Sequence, residues 1–176
     1  GTMRNIKDAI TIDQLDNPAV DIVTDLNKGF PFIEDNSVDA IYSFHFLEHV
    51  ENLEFLMTEI YRVLKVGGKN IGTVPHFSNP YFYSDYTHKA HFGLYSFAYF
   101  SKTPYFKRQV PGFYNACEFT LENIKVEFIS PFRVRNQFKK IQQWLFNSSK
   151  FLKEYYEENM CYIFPAYQIR FVLKKV

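Results

Sequence analysis

Short apolar runs alternate with one long amphipathic stripe through the first half of the chain, the pattern of a parallel α/β sheet. Ala9-Ile10-Thr11-Ile12 predicts a brief strand running into Asp13, and Asn17-Pro18 supplies a turn before a second strand at Val20-Asp21-Ile22-Val23. Lys28 to Phe32 and the polar Glu34-Asp35-Asn36-Ser37 make a loop, after which Val38 to Phe44 has the composition of a buried central strand. From Asn52 to Lys65, Leu53, Leu56, Met57, Ile60, Val63 and Leu64 recur at steps of three and four, which predicts a helix with one buried stripe. It is expected to stop at Gly67-Gly68, residues suited to a left-handed cap, with Arg62 and Lys65 at the negative end of the helix dipole. Ile71 to Val74 is a further strand closed by Pro75. Strand, helix, glycine turn and strand form a right-handed crossover, so 38–44 and 70–74 should run parallel, side by side, with both carboxyl ends on one edge.

The second half is less periodic. Residues 76–116 contain five Pro and Gly beyond residue 79 and dense Tyr, Phe and His. So long an irregular stretch suits an aromatic-rich lid or substrate insertion, at 77–116, within a single domain spanning 1–176. Phe119 to Ile129 predicts a strand, Asn136 to Tyr156 a helix interrupted near Asn147-Ser148-Ser149, and Tyr167 to Val172 a last strand.

Composition narrows the function. Twenty Lys plus Arg against nineteen Asp plus Glu leave a net charge of +1, so no overall field recruits nucleic acid or an anionic membrane, and neither is expected as a partner. Two cysteines, Cys117 and Cys161, form no metal or redox spacing and fit a reducing cytoplasm. Aromatic residues are 19% of the chain, more than a core alone requires, so some should line a concavity or lie near the surface.

In open α/β sheets ligands bind at the carboxyl ends of the strands, and an acidic residue there can accept both hydroxyls of a ribose. Asp13 and Asp25 hold that position; each could equally be a turn Asp satisfying backbone amides. Ser43, Phe44 and His45 end the central strand, where a packed or capping histidine is the plainer alternative. Histidine titrates near neutrality and can take a proton from a nucleophile. His76, His88 and His91, with Asp85, follow the strand that closes at Pro75. They could also cap backbone groups, or His88-x-x-His91 with His76 and Asp85 could ligate a metal.

The segments Asp25-Leu26, Phe30-Pro31-Phe32, Asp35 to Ser43, Leu47-Glu48-His49-Val50 and Glu59 to Lys69 together resemble the core of class I S-adenosylmethionine-dependent methyltransferases of the type 11 kind. Val38 and Val66 replace the usual Phe and Pro. The resemblance implies a Rossmann-like fold: a mostly parallel twisted sheet with helices on both faces, strands ordered 3-2-1-4-5-7-6 and the last antiparallel. It implies S-adenosyl-L-methionine as cofactor, with Asp13 on the ribose, Asp25 and Leu26 beside the adenine, and Ser43, Phe44 and His45 along the methionine side. The family opens with a strand and a G-x-G-x-G loop. Gly1 is expected to be the remnant of that loop, with the first strand lying ahead of the given sequence; a start at Met3 would instead leave the sheet without its middle strand. Asp85-Tyr86-Thr87-His88 resembles the D-P-T-H segment of members acting on sugars and other small molecules. The expected reaction is therefore transfer of a methyl group to a small-molecule acceptor, a sugar or glycan-precursor hydroxyl, with His88 as base, Asp85 orienting it, His76 nearby, and no metal. A non-catalytic interaction module of the same fold is the alternative.

Overall fold

A computed structural model describes residue 6 and residues 9–176. Two short parallel strands, β1 (Ile12–Asp13) and β2 (Ile22–Val23), pair with Asp13 opposite Val23. A second sheet contains β3 (Val38–Phe44), β4 (Leu64–Pro75), β5 (Phe119–Glu127) and β6 (Gln168–Lys175) in the order β3-β4-β6-β5. β3 and β4 are parallel, and β6 runs antiparallel to both its neighbours. In chain order these are the 3-2 and 4-5-7-6 parts of the expected arrangement.

Helix α1 (Leu53–Val63) forms the crossover between β3 and β4. Asn52 caps it by accepting the Phe55 amide at 3.0 Å, and Leu56, Met57, Ile60 and Val63 face the core. Its end differs from the glycine cap expected. The helix stops at Val63, and β4 starts directly at Leu64. The last-turn carbonyls find partners from elsewhere: Arg62 O accepts from Asn36 N and Val63 O from Ser37 N, while Tyr61 O accepts from Lys175 Nζ at 2.6 Å. With those carbonyls satisfied, Gly67-Gly68 serve a bulge. Val38 pairs with Leu64 but Ala40 pairs with Lys69, and the surplus residues of β4 loop out through Gly67 at φ 82°. A Cβ on Gly68 would lie 2.8 Å from Lys65 O, so backbone crowding excludes any larger residue there.

One face of the sheet is apolar: Ile124, Val126, Ile169, Phe171 and Leu173 are fully or almost fully buried. α1 covers part of it. The 77–116 segment covers the rest, folding Phe82, Phe92, Leu94, Phe97, Phe100 and Phe106 into the core, with the Phe97 ring stacked on Phe171. Tyr81, Tyr83 and Tyr86 go the other way and are exposed, while Tyr95 and Tyr105 pack partly buried against the core. Helices α2 (Arg133–Asn147) and α3 (Lys150–Tyr155) connect β5 to β6, broken at Ser148-Ser149 as expected, with α2 beginning three residues earlier than the apolar spacing indicates. Among the described residues no helix is long and apolar enough to cross a membrane.

Candidate active site at the carboxyl rim

β3 ends at Phe44, and the chain then turns sharply through His45, which adopts φ 50°, a left-handed conformation uncommon for a residue with a Cβ. This turn presents Leu47-Glu48-His49 as a short helical turn directly over the carboxyl end of the strand. Strain of this kind persists only where the surroundings hold it. Here the His45 amide donates to Thr73 O on β4 at 2.9 Å, and its Nε2 lies 2.8 Å from Gln168 Oε1 on β6. Nδ1 lies 3.3 Å from Glu48 Oε1. Glu48 beside the ring, with Gln168, raises the imidazole pKa above its ordinary value.

Glu48 is fully buried, and neither carboxylate oxygen makes a hydrogen bond. The His45 contact is near enough for charge attraction but does not have hydrogen-bond alignment. The backbone carbonyl of Glu48 meanwhile accepts the amides of Lys89 and Ala90, at 2.7 and 3.1 Å. That pair of bonds fixes the 85–91 loop against the rim and brings His88 over it.

His88 is well oriented. Its Nδ1 lies 2.8 Å from Phe82 O, an acceptor only, so Nδ1 carries a proton, and Nε2 lies 3.5 Å from Asp85 Oδ2. Asp85 accepts the hydroxyl and the amide of Thr87 at Oδ1, and these bonds hold its carboxyl below the usual range. The spent Thr87 hydroxyl accepts in turn from His49 Nδ1 at 3.0 Å. Ligand atoms of Glu48, His49 and His88 lie within 4.8 Å of one another, a donor set of the type that takes a divalent cation. Glu48 and His49 belong to the Leu-Glu-His-Val motif, yet their place beside His88 had no reading in the sequence. The available signal was Glu48 with His45 three residues before it and His49 directly after it, an acid and two imidazoles within one turn.

Of the other expected residues, His76 is used in the core, while Asp13, Asp25 and Ser43 lie at or near the ends of β1, β2 and β3. His76 is fully buried, with the Ser78 amide donating to Nδ1 at 3.0 Å and Nε2 bonded to Glu157 Oε2 at 2.9 Å. Both ring nitrogens are thus used in a core contact, while Glu157 Oε1 also takes the Leu94 amide. Asp25 caps a short turn over Leu26–Lys28 by accepting the Asn27 amide, and Asn27 Oδ1 accepts the Glu51 amide at 3.0 Å, tying the end of β2 to the same rim. Asp13 Oδ1 accepts the Leu15 amide at 3.0 Å, which lowers its pKa. Gly1 lies outside the described residues. Ser43 is buried with its Oγ unbonded, and a Cβ on Gly72 opposite would stand 2.5 Å from it.

Two cavities lie elsewhere. One, of about 400 Å³, lies against β3 beside the Gly67-Gly68 bulge; the other, of about 330 Å³, lies between Asn79-Pro80-Tyr81 and Arg135, Lys139 and Gln142 of α2.

A family model described as a methyltransferase domain matches residues 5–71. An S-adenosylmethionine-dependent methyltransferase from Archaeoglobus fulgidus is similar in structure, with a TM-score of 0.52 and 14% identity, over 88% of this chain and 66% of that one. A candidate methyltransferase from Bacillus halodurans C-125 gives a TM-score of 0.52 and 18% identity over 94% and 82%. A third, from Haloferax volcanii and solved in complex with a methyltransferase activator, gives 0.51 and 11% over 92% and 64%. The chain thus spans about two thirds of the length of the Archaeoglobus and Haloferax proteins. No curated protein matches it. The chain therefore has the fold of these S-adenosylmethionine-dependent methyltransferases.

Proposed function

We propose that the protein is an S-adenosylmethionine-dependent methyltransferase acting on the hydroxyl of a small molecule, a sugar or glycan precursor, in a reducing compartment where Cys117 and Cys161 remain thiols. The observation that carries the reading is His88, whose Nδ1 donates to Phe82 O, which leaves Nε2, 3.5 Å from the Asp85 carboxylate, as the nitrogen to take a proton.

The rim fits the cofactor on one test: a buried Ser43 hydroxyl without a partner, beside a strained His45, leaves polar capacity at the end of β3. Ser43, Phe44 and His45 would hold the methionine part, Asp13 the ribose, and Asp25 with Leu26 the adenine. When bound, the cofactor supplies an electrophilic methyl group on a sulfonium. His88 Nε2 accepts the proton of the acceptor hydroxyl as that oxygen attacks, and Asp85 stabilises the resulting imidazolium across 3.5 Å. His76 supports the site from behind by fixing the start of the 77–116 segment through Glu157.

Calorimetry with S-adenosylmethionine tests the binding half, and the expected result is micromolar affinity that Asp13→Ala weakens. His88→Ala should abolish methyl transfer while leaving that affinity near normal; retained turnover removes His88 as the base. A chelator should leave turnover unchanged, and its loss would instead put a metal on Glu48, His49 and His88. No observation favours the non-catalytic module.

A further inference from the structure

Helix α2 is amphipathic in the reverse sense to a core helix. Its inward side is polar because it lies along the free edge of β5, where unpaired backbone groups need partners. Asn147 Oδ1 accepts the Val126 amide at 2.9 Å and its Nδ2 donates to Val126 O at 2.7 Å, while Gln143 Oε1 accepts the Phe128 amide at 3.0 Å. Asn136 does the same for Ser130 N. Phe146 is the one fully inward apolar residue of the helix.

The opposite side is a continuous apolar stripe, Val134, Phe138, Ile141 and Leu145, at steps of four, three and four, with Trp144 beside it. Val134, Phe138, Ile141 and Trp144 are 61–74% exposed. Exposed Arg133 and Lys140 flank one side of the stripe and exposed Arg135 the other. Between Glu127 and Glu154 the chain carries six basic residues and no acidic one, and Arg133, Arg135, Lys140 and Lys150 among them are exposed, so the overall +1 conceals a basic surface here.

We propose that α2 docks on the surface of an anionic lipid bilayer, lying in the interface with the Val134-Phe138-Ile141-Leu145 stripe inserted and Arg133, Arg135 and Lys140 at headgroup level. A basic helix with Trp, Phe and Leu on its apolar side has the composition that binds this way, and both forces act together: apolar burial and attraction to negative headgroups. A second copy of the chain is a poorer occupant. Pairing α2 with itself would gather the arginines and lysines of two copies at one interface, where like charges repel. The contact lies on the surface and requires no spanning segment.

The test uses the full chain with vesicles of phosphatidylglycerol and phosphatidylcholine mixed, and with phosphatidylcholine alone. Trp144 is the single tryptophan, so its emission reports the stripe directly. The expected result is co-sedimentation and a blue shift with the anionic vesicles only. Arg133→Gln and Lys140→Gln should each weaken binding about fivefold, and Ile141→Ser should remove the blue shift while circular dichroism stays unchanged. Equal binding to neutral vesicles, or no binding to anionic ones, overturns the proposal. So does a blue shift without lipid that tracks a dimer in sedimentation, which would make the stripe an interface between copies.

Discussion

Helices α1 and α2 are both amphipathic, yet α1 turns its apolar stripe into the core and α2 turns its own outward. What each packs against accounts for the difference. α1 crosses a sheet face, where side chains such as Val74 offer apolar area and removing Leu56 and Ile60 from water is favourable. α2 lies along the edge of β5, where bare amides and carbonyls make Asn147 and Gln143 the better neighbours. The direction of a helix's apolar stripe therefore identifies the core only when its neighbour is a sheet face.

The sharpest way to break this comparison is at the two inward sides. Leu56→Ala in α1 should cost about 2–5 kcal/mol by denaturant unfolding, since a fully buried leucine leaves a cavity. A loss near zero would mean that α1 is not packed as described. Asn147→Ala in α2 should cost about 1–3 kcal/mol, because it strands both backbone groups of Val126 at once. If Asn147→Leu proves as stable as the native chain, the polar-edge explanation of α2 fails.

A smaller effect sharpens the account of the rim. The raised pKa of His45 means that its pairing with Glu48 contributes stability in full below the ordinary value of 6.5 and loses it as pH rises through the higher folded-state value. The melting temperature should fall over that window in the native chain and stay flatter in His45→Gln. Parallel curves for the two proteins would show that His45 is not charged at the rim.

Much of the amino half was legible because its apolar spacing and its neighbours agree. Val38 to Phe44, the stripe of α1 and Ile71 to Val74 all lie on or against one apolar surface, so periodicity and packing point the same way. The helix end was not legible. Gly67-Gly68 have the composition of a cap, but the residues that meet the last carbonyls are Asn36, Ser37 and Lys175, the last far away in sequence. At the rim, His88 and Asp85 were legible as chemistry, while their link to Glu48 and His49 was not, because it depends on the Glu48 carbonyl gripping Lys89 and Ala90.

The amino-acid sequence by itself determined the parallel crossover and the types of residue that could move a proton, since these follow from local spacing and side-chain chemistry; the order of the strands came only through the resemblance to a known family. Only the tertiary structure decided that His76 is spent on Glu157 in the core, that His88 stands over a buried carboxylate, and that the apolar side of α2 faces out. Each of those outcomes depends on which distant backbone groups needed a hydrogen-bond partner, and that requirement appears only when the chain is packed.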